Sequence, residues 1–400
     1  MKRIIAYILI FCMVSVCGSA ATVSMEYPAD DLEVPLEAVA VDSGSVAQLD
    51  IKAKSVILME PITKTILYES NSDEKTAPAS ITKIMALLLV MEEIKKGTLK
   101  LDTVITATEH ACSMGGSQIW LEPGEQMTVH ELLKASVIAS ANDAMVALGE
   151  AVAGSEEGFV SLMNDRAKQL GMNNTLFVNC TGLDAENHLT TAHDIAIASS
   201  ELIKHDLIKE YSTVWMDSLR GGESELVNTN KLVRFYEGCT GLKTGTTSKA
   251  GYCLSATADK DGMQLVAVVM DADSSTDRFE GAKKLLNYGY ANYKFSDIAA
   301  DIDENTTIPV KKGTQKTAKV AAKNTLSVLL PKRTIGDITQ KVQIDEFVTA
   351  PAVAGTVVGA AKVMSGDSEI GVIELVLAED IERINVTHVF GWLLRALFCL

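Results

Sequence analysis

The chain is short of basic charge. Against 52 aspartates and glutamates it sets 36 lysines and arginines, a formal net charge of −16 over 400 residues. Nucleic acid, whose phosphates demand a basic footprint, is therefore excluded as a partner. A small anionic substrate is not excluded, because a few local cations dominate the potential inside a cleft. There is no C-x-x-C pair, and the seven cysteines are irregularly spaced, so neither a zinc ribbon nor a disulfide framework is expected. His188 and His193 lie five apart, not at the i, i+4 spacing of a helical zinc site. No metal and no cofactor is expected, and all six histidines are read as structural. No apolar run reaches the about 20 residues of a membrane span, and no internal repeat is evident.

What is present begins with an export signal. Lys2 and Arg3 precede an apolar run from Ile4 to Val16, and Gly18-Ser19-Ala20 offers small residues for cleavage. Residues 1–20 are read as this signal and the acidic, aperiodic residues 21–48 as a leader. Removal of the signal leaves Cys112, Cys180, Cys239, Cys253 and Cys399, expected as single thiols buried in the core. The remainder, in a chain 47% hydrophobic and 22% charged, has globular composition and length enough for two domains.

The pattern of elements points to an α/β sandwich. "KSVILMEPITKTILYES" gives two β-rich runs around Glu60-Pro61, an antiparallel hairpin. A helix is predicted from Ser80 to about Gly97, with Pro78 and Ala79 just before it. Residues 128–153 read as two helices broken near Ser140, and a third helix spans Glu157–Leu170. Later, "TGLKTGTTSKAGYCLSATADKDGMQLVAVVMDA" reads as strand, strand, tight turn at Asp259–Gly262, and strand. A helix at i, i+3, i+4 apolar spacing follows from about Asp277 to Tyr293. Strands at both ends with helices between predict an antiparallel sheet with helices on both sides over residues 49–295. From 296 to 382, short β-type runs ("TTIPVKKG", "LSVLLPK", "ITQKVQI", "GVIELVLAED") alternate with turns and predict a small all-β domain. In the tail, residues 383–400, Asn385, His388 and Arg395 share one helical side. Val389, Phe390, Leu393, Leu394, Leu397 and Phe398 cover the rest. Too short to span, this amphipathic helix is read as an anchor on a membrane surface rather than a helix packed on the protein itself.

Chemistry concentrates in three tripeptide-scale patterns. Ser80 and Lys83 form S-x-x-K at a helix entrance, followed by a stretch, Ile84–Met91, without a polar side chain. An ordinary lysine titrates near about 10.4 and is no base at neutral pH; an apolar setting or a second cation lowers that value. Spacing alone proves nothing, because Ser72–Lys75 repeats it in the polar loop "NSDEKT". The second cation is expected at Lys243, in the single K-T-G (Lys243-Thr244-Gly245) at the end of a predicted strand. There the absent side chain of Gly245 is expected to let a substrate approach the backbone. The third pattern is Ser140-Ala141-Asn142, the single S-x-N, at the predicted helix break. Its hydroxyl can relay a proton and its amide can hold a carbonyl.

In that order and context these patterns resemble the serine-type D-alanyl-D-alanine carboxypeptidases, the low-molecular-mass penicillin-binding proteins. The likeness runs from about Ala53 to Tyr293. "GGSQIWLEPGEQMTVHELLKASVIASANDA", "GLKTGTTSKAGYCLSATA" and "DRFEGAKKLLNYGY" all read as family segments. Arg278 stands in the position of the family's carboxylate-binding arginine, and the β domain and tail follow the family layout. One departure is "NCTGLD", with Cys180 and Thr181 where the family usually has a proline or small residue; it touches none of the catalytic positions. The resemblance implies a penicillin-binding/β-lactamase-like fold and removal of the terminal D-alanine from peptidoglycan stem peptides ending in D-Ala-D-Ala. It implies Ser80 as nucleophile, Lys83 as general base, Ser140 and Lys243 as proton relay, and Asn142 orienting the acyl part. Lys243, Thr244 and Arg278 would hold the carboxylate beside Gly245, with the Thr246 and Ser80 N–H groups as oxyanion hole. β-Lactams would acylate Ser80 as covalent inhibitors.

Three rivals remain at this point. A class A β-lactamase uses a glutamate after S-x-N to activate the deacylating water, and no glutamate lies between Gly158 and Ala185; Glu156, Glu157 and Glu186 fall outside that stretch. A penicillin sensor without turnover would carry the same motifs joined to a transmembrane signalling link. Endopeptidase or transpeptidase action on crosslinked wall depends on cleft shape, which sequence does not reveal.

Overall fold

The computed structural model describes residues 49–332 and 338–398, the side chains of residues 395–398 excepted. The expected export signal, the leader and Cys399 lie outside the described residues. Strands β1 (Ala53–Glu60) and β2 (Thr65–Ser70) form the hairpin around Glu60-Pro61. Its turn is tied by the buried Glu60 carboxylate, which accepts from the Ile62 N–H (2.8 Å), the Thr63 N–H (2.7 Å) and the Thr63 hydroxyl (2.6 Å).

Helices α1 (Lys83–Lys96), α2 (Val129–Ile138), α3 (Asn142–Ala153), α4 (Glu156–Gln169) and α5 (Ala192–Leu202) follow. Local chemistry sets their ends. α1 stops at Gly97, whose φ of +78° suits a residue without a side chain, after Lys95 and Lys96 in the last turn. α2 opens with a reciprocal capping box between Thr128 and Glu131. The chain then returns to strands β3 (Cys239–Thr247), β4 (Gly251–Lys260) and β5 (Met263–Ala272), and to helix α6 (Ser275–Asn292). The α5 helix was not expected. Nearly every residue in it is buried.

The sheet order is β2–β1–β5–β4–β3, antiparallel throughout. Alternate residues serve opposite faces. Val56, Leu58, Leu265, Ala267 and Val269 pack on Phe279, Leu285 and Leu286 of α6. On the other face, Ser199 of α5 hydrogen-bonds Ser255 of β4 (2.8 Å). Both faces are covered, which is why the strands read as continuous apolar runs. Each fully buried leucine here contributes about 2 kcal/mol.

Beyond α6 the chain is β-rich. Tyr293–Ile298 pairs with Leu326–Pro331, and a six-stranded sheet carries two small apolar cores. The four runs recognised in the sequence are strands; Thr317–Ala322 and Val357–Ser365 are strands as well. Their alanines and glycine hide the alternation. The tail forms a helix, Val386–Phe398. Its Val386, Phe390 and Leu393 are 84%, 62% and 58% exposed, so these side chains are not packed on the protein. Among the described residues no helix is long and apolar enough to cross a membrane.

One buried carboxylate joins the fold to the site. Asp143, at the start of α3, accepts from the N–H groups of Ile119 and Leu121 (both 3.1 Å) and pins residues 114–121 against the helix. Replacing it by alanine strands those two buried donors, at about 1–3 kcal/mol each. Asp143→Ala is therefore expected to lower stability by about 2–6 kcal/mol in urea denaturation, with Asp143→Asn losing less.

Candidate active site

The three patterns meet where the sheet's β3 edge faces the α1 entrance and the α2–α3 break. Ser80 does not begin the α-helix as expected. It sits in a 3-10 turn, Ala79–Thr82, with α1 starting at Lys83. Ala79 ahead of it has φ +49°, a conformation most side chains avoid. In a 3-10 turn residues i and i+3 eclipse, which sets Lys83 beneath Ser80.

Lys83 is fully buried. Its Nζ lies 3.1 Å from Ser80 Oγ, 2.5 Å from Asn142 Oδ1 and 2.8 Å from the Thr181 carbonyl oxygen. Asn142 Nδ2 donates to the Gly115 carbonyl (2.6 Å), which leaves its oxygen to face the lysine. A charged ammonium can donate to all three neighbours. The neutral amine has only two N–H groups, and Asn142 Oδ1 and Thr181 O, which can only accept, take both; its lone pair is then left for the Ser80 hydroxyl. Burial lowers the Lys83 pKa to about 7, with Cys180 and Asp143 resisting slightly.

Ser140 occupies the α2–α3 break with φ +63°, and its Oγ accepts from Lys243 Nζ at 2.8 Å. Lys243 is also buried. Burial, then the charges of Lys83 and Arg278, hold its pKa well below the ordinary lysine range. Thr244 Oγ1 donates to Thr229 Oγ1 (2.6 Å). Arg278 Nη1 reaches Thr246 Oγ1 (2.9 Å), the Gly245 carbonyl (3.0 Å) and the Cys253 carbonyl (3.3 Å). Arg278 thus braces β3 from behind and meets a ligand edge chiefly through Thr246. Both ends of the Asn142 amide are occupied inside the protein.

Two expectations need correction. The missing side chain at Gly245 does not open space for a substrate: a Cβ there would lie 2.8 Å from the Ser80 nitrogen and 3.0 Å from the Ile81 nitrogen. It lets the Ser80 turn itself press against β3. The "NCTGLD" segment also does touch the machinery. The Thr181 carbonyl holds Lys83, and Gly182, at φ +87°, packs against the Ala79 carbonyl so closely that no Cβ fits. A carbonyl is present at every residue, so no sequence pattern marks this one; Thr229 carries no signature either.

Other expectations fare simply. Ser72 is bonded to Glu69 (2.5 Å) and Lys75 is exposed, so the second S-x-x-K is a surface turn. Cys180 and Cys253 are buried free thiols, whereas Cys112 and Cys239 are half-buried. His188 is structural: its Nδ1 accepts from the Val178 N–H (3.0 Å), so Nε2–H donates to Thr82 Oγ1 (2.9 Å), and burial pushes its pKa down to about 4. Among the described residues no group of three or more His, Cys, Asp and Glu side chains is placed to hold a metal.

Comparison with known proteins agrees with this geometry. Residues 42–274 match the D-alanyl-D-alanine carboxypeptidase family, and residues 296–383 match the penicillin-binding protein 5 C-terminal domain. D-alanyl-D-alanine carboxypeptidase DacF of Bacillus subtilis is 41% identical over 82% of this chain and 85% of its own length. Penicillin-binding protein 5 of Haemophilus influenzae superposes with a TM-score of 0.72 at 28% identity, over 85% of this chain and all of that one. Penicillin-binding protein D2 of Listeria monocytogenes, in its ampicillin-bound form, gives a TM-score of 0.56 at 30% identity over 61% of this chain and all of that one. The chain therefore belongs to the D-alanyl-D-alanine carboxypeptidase family, as a serine-type peptidase that acts on peptidoglycan and binds penicillin.

Proposed function

We propose that Ser80 is the nucleophile and neutral Lys83 its general base. The observation that carries this reading is the pair of acceptors, Asn142 Oδ1 and Thr181 O, that leaves the lysine lone pair for the Ser80 hydroxyl. Ser80 Oγ attacks the carbonyl of the penultimate D-alanine as its proton passes to Lys83. The oxyanion lies between the N–H groups of Ser80 and Thr246, on backbones brought side by side at Gly245. Ser140 and Lys243 deliver a proton to the leaving D-alanine nitrogen along their hydrogen bond. Lys243 takes the terminal carboxylate, joined by the Thr244 and Thr246 hydroxyls as they turn from Thr229 Oγ1 and the Gly245 carbonyl, with Arg278 behind Thr246. An arriving carboxylate opposes the forces that strip Lys243 of its proton, so the substrate charges its own binding site. Asn142 serves Lys83 first, and reaches the acyl part of the peptide if its amide leaves Gly115. Water then cleaves the acyl-enzyme. A β-lactam takes the same course, but its opened ring stays where the D-alanine would have left.

The domain reading belongs here too: an export signal at 1–20, a leader at 21–48, the catalytic domain at 49–295, a β domain at 296–382 and an anchor helix at 383–400. The outward-facing apolar side chains of the tail support attachment to the outer face of the cytoplasmic membrane, on the wall side where the peptidoglycan lies.

Three outcomes test this. Acylation by penicillin should rise with pH through about 7, because the acylating form is the neutral amine: Lys83 charges below that value, and each further unit of acid costs about tenfold. Ser80→Ala should abolish both the penicillin adduct, read by mass spectrometry, and D-alanine release from a D-Ala-D-Ala peptide, whereas single labelling without turnover in the unaltered enzyme would show a sensor instead. Removal of residues 383–400 should release the protein from anionic lipid vesicles in a sedimentation assay while leaving peptide hydrolysis unchanged.

A further inference from the structure

The Thr181 carbonyl that steers Lys83 has no helix or strand to fix it. Its segment is held by side chains. Asn164 Oδ1 takes the Phe177 N–H (2.9 Å), His188 Nδ1 takes the Val178 N–H (3.0 Å), and Asn179 Oδ1 takes the N–H groups of Thr181 (3.2 Å) and Gly182 (2.7 Å). The anchor next to Thr181 is different, because it is a carboxylate from another element. Glu156, the first residue of α4, accepts from the Cys180 N–H through Oε1 (3.1 Å) and meets His110 Nε2 through Oε2 (2.8 Å). Its side chain is largely buried, while His110 stands half in solvent.

We infer that Glu156 is a positioning residue for the acylation step. By holding the Cys180 N–H, and with it the Asn179–Cys180 peptide unit, it braces the residue before Thr181, whose carbonyl receives one N–H of Lys83, and so helps to aim the lysine lone pair at Ser80. The inference rests on Lys83 acting as the base. The chain of contacts runs His110–Glu156–Cys180–Thr181–Lys83, with adjacent residues 180 and 181 as its only covalent link. The His110 end is favoured in its charged form by Glu156, with Glu150 and Glu157 nearby adding in the same direction. At the other end Lys83 feels Asp143 from α3 and Cys180 from the segment itself, and shares the site with Lys243 of β3. A carboxylate at the α4 start is thus recruited not for water activation, the task a β-lactamase glutamate performs, but for the geometry of the base. Both of its oxygens are spent on protein donors.

The effect is directional. A carbonyl stabilises an ammonium more than it stabilises a neutral amine, since hydrogen bonds to charged groups are the stronger. Loosening Thr181 therefore makes Lys83 easier to deprotonate while aiming it less well. In Glu156→Ala the plateau rate of penicillin acylation should fall about tenfold, as small misplacements of a reacting group do, and the acid limb should move to lower pH. Glu156→Gln, whose amide oxygen still accepts from the Cys180 N–H, should keep the limb in place and most of the rate. His110→Ala, which touches no reacting group, should fall between the two. Thermal melting separates misfolding from mispositioning, and Glu156→Ser, too short to reach Cys180, replaces the alanine variant if that does not fold. An unmoved limb in the alanine or serine variant would overturn the inference, as would a glutamine variant as impaired as alanine. Absence of a limb near pH 7 in the unaltered enzyme would instead overturn Lys83 as the base.

Discussion

The site is built around one buried amine, that of Lys83. A lysine held away from water loses the solvation that normally keeps its proton, and here that loss brings its pKa to about 7. Burial alone would leave the lone pair of the neutral amine without a fixed direction. The two acceptors remove that freedom: Asn142 Oδ1 and Thr181 O consume the N–H groups, and one direction remains, toward Ser80.

The architecture follows from that need. The 3-10 turn places Ser80 over Lys83, and two glycines, Gly182 and Gly245, allow the backbone on either side to close on that turn. α2 and α3 break at Ser140 so that its hydroxyl meets Lys243. The five-stranded sheet, packed on both faces, provides the rigid edge that β3 presents.

The charge of the whole protein runs opposite to the charge of the site. A chain of net charge −16 buries Lys83, Lys243 and Arg278, where lost solvation lowers the pKa of each and repulsion from Lys83 and Arg278 lowers that of Lys243 further. An anionic substrate end relieves that repulsion. Selectivity for a peptide with a free terminal carboxylate then needs no basic surface.

By itself, the amino-acid order picked out Ser80 and Lys83 in S-x-x-K, the S-x-N and K-T-G patterns that fold beside them, and a sheet flanked by helices. These features rest on local chemistry, such as residue type, short spacing, caps and apolar period, which a linear reading can carry. It also revealed why the Ser72–Lys75 copy is silent, since a polar loop cannot shield an amine. What the tertiary structure alone decided are the contacts with no local signature: the Thr181 carbonyl, the close approach at Gly245, the turn of Arg278 behind Thr246, and the Glu156 link to Cys180. Backbone groups are chemically the same at every position, and only folding selects which of them will face the reacting amine.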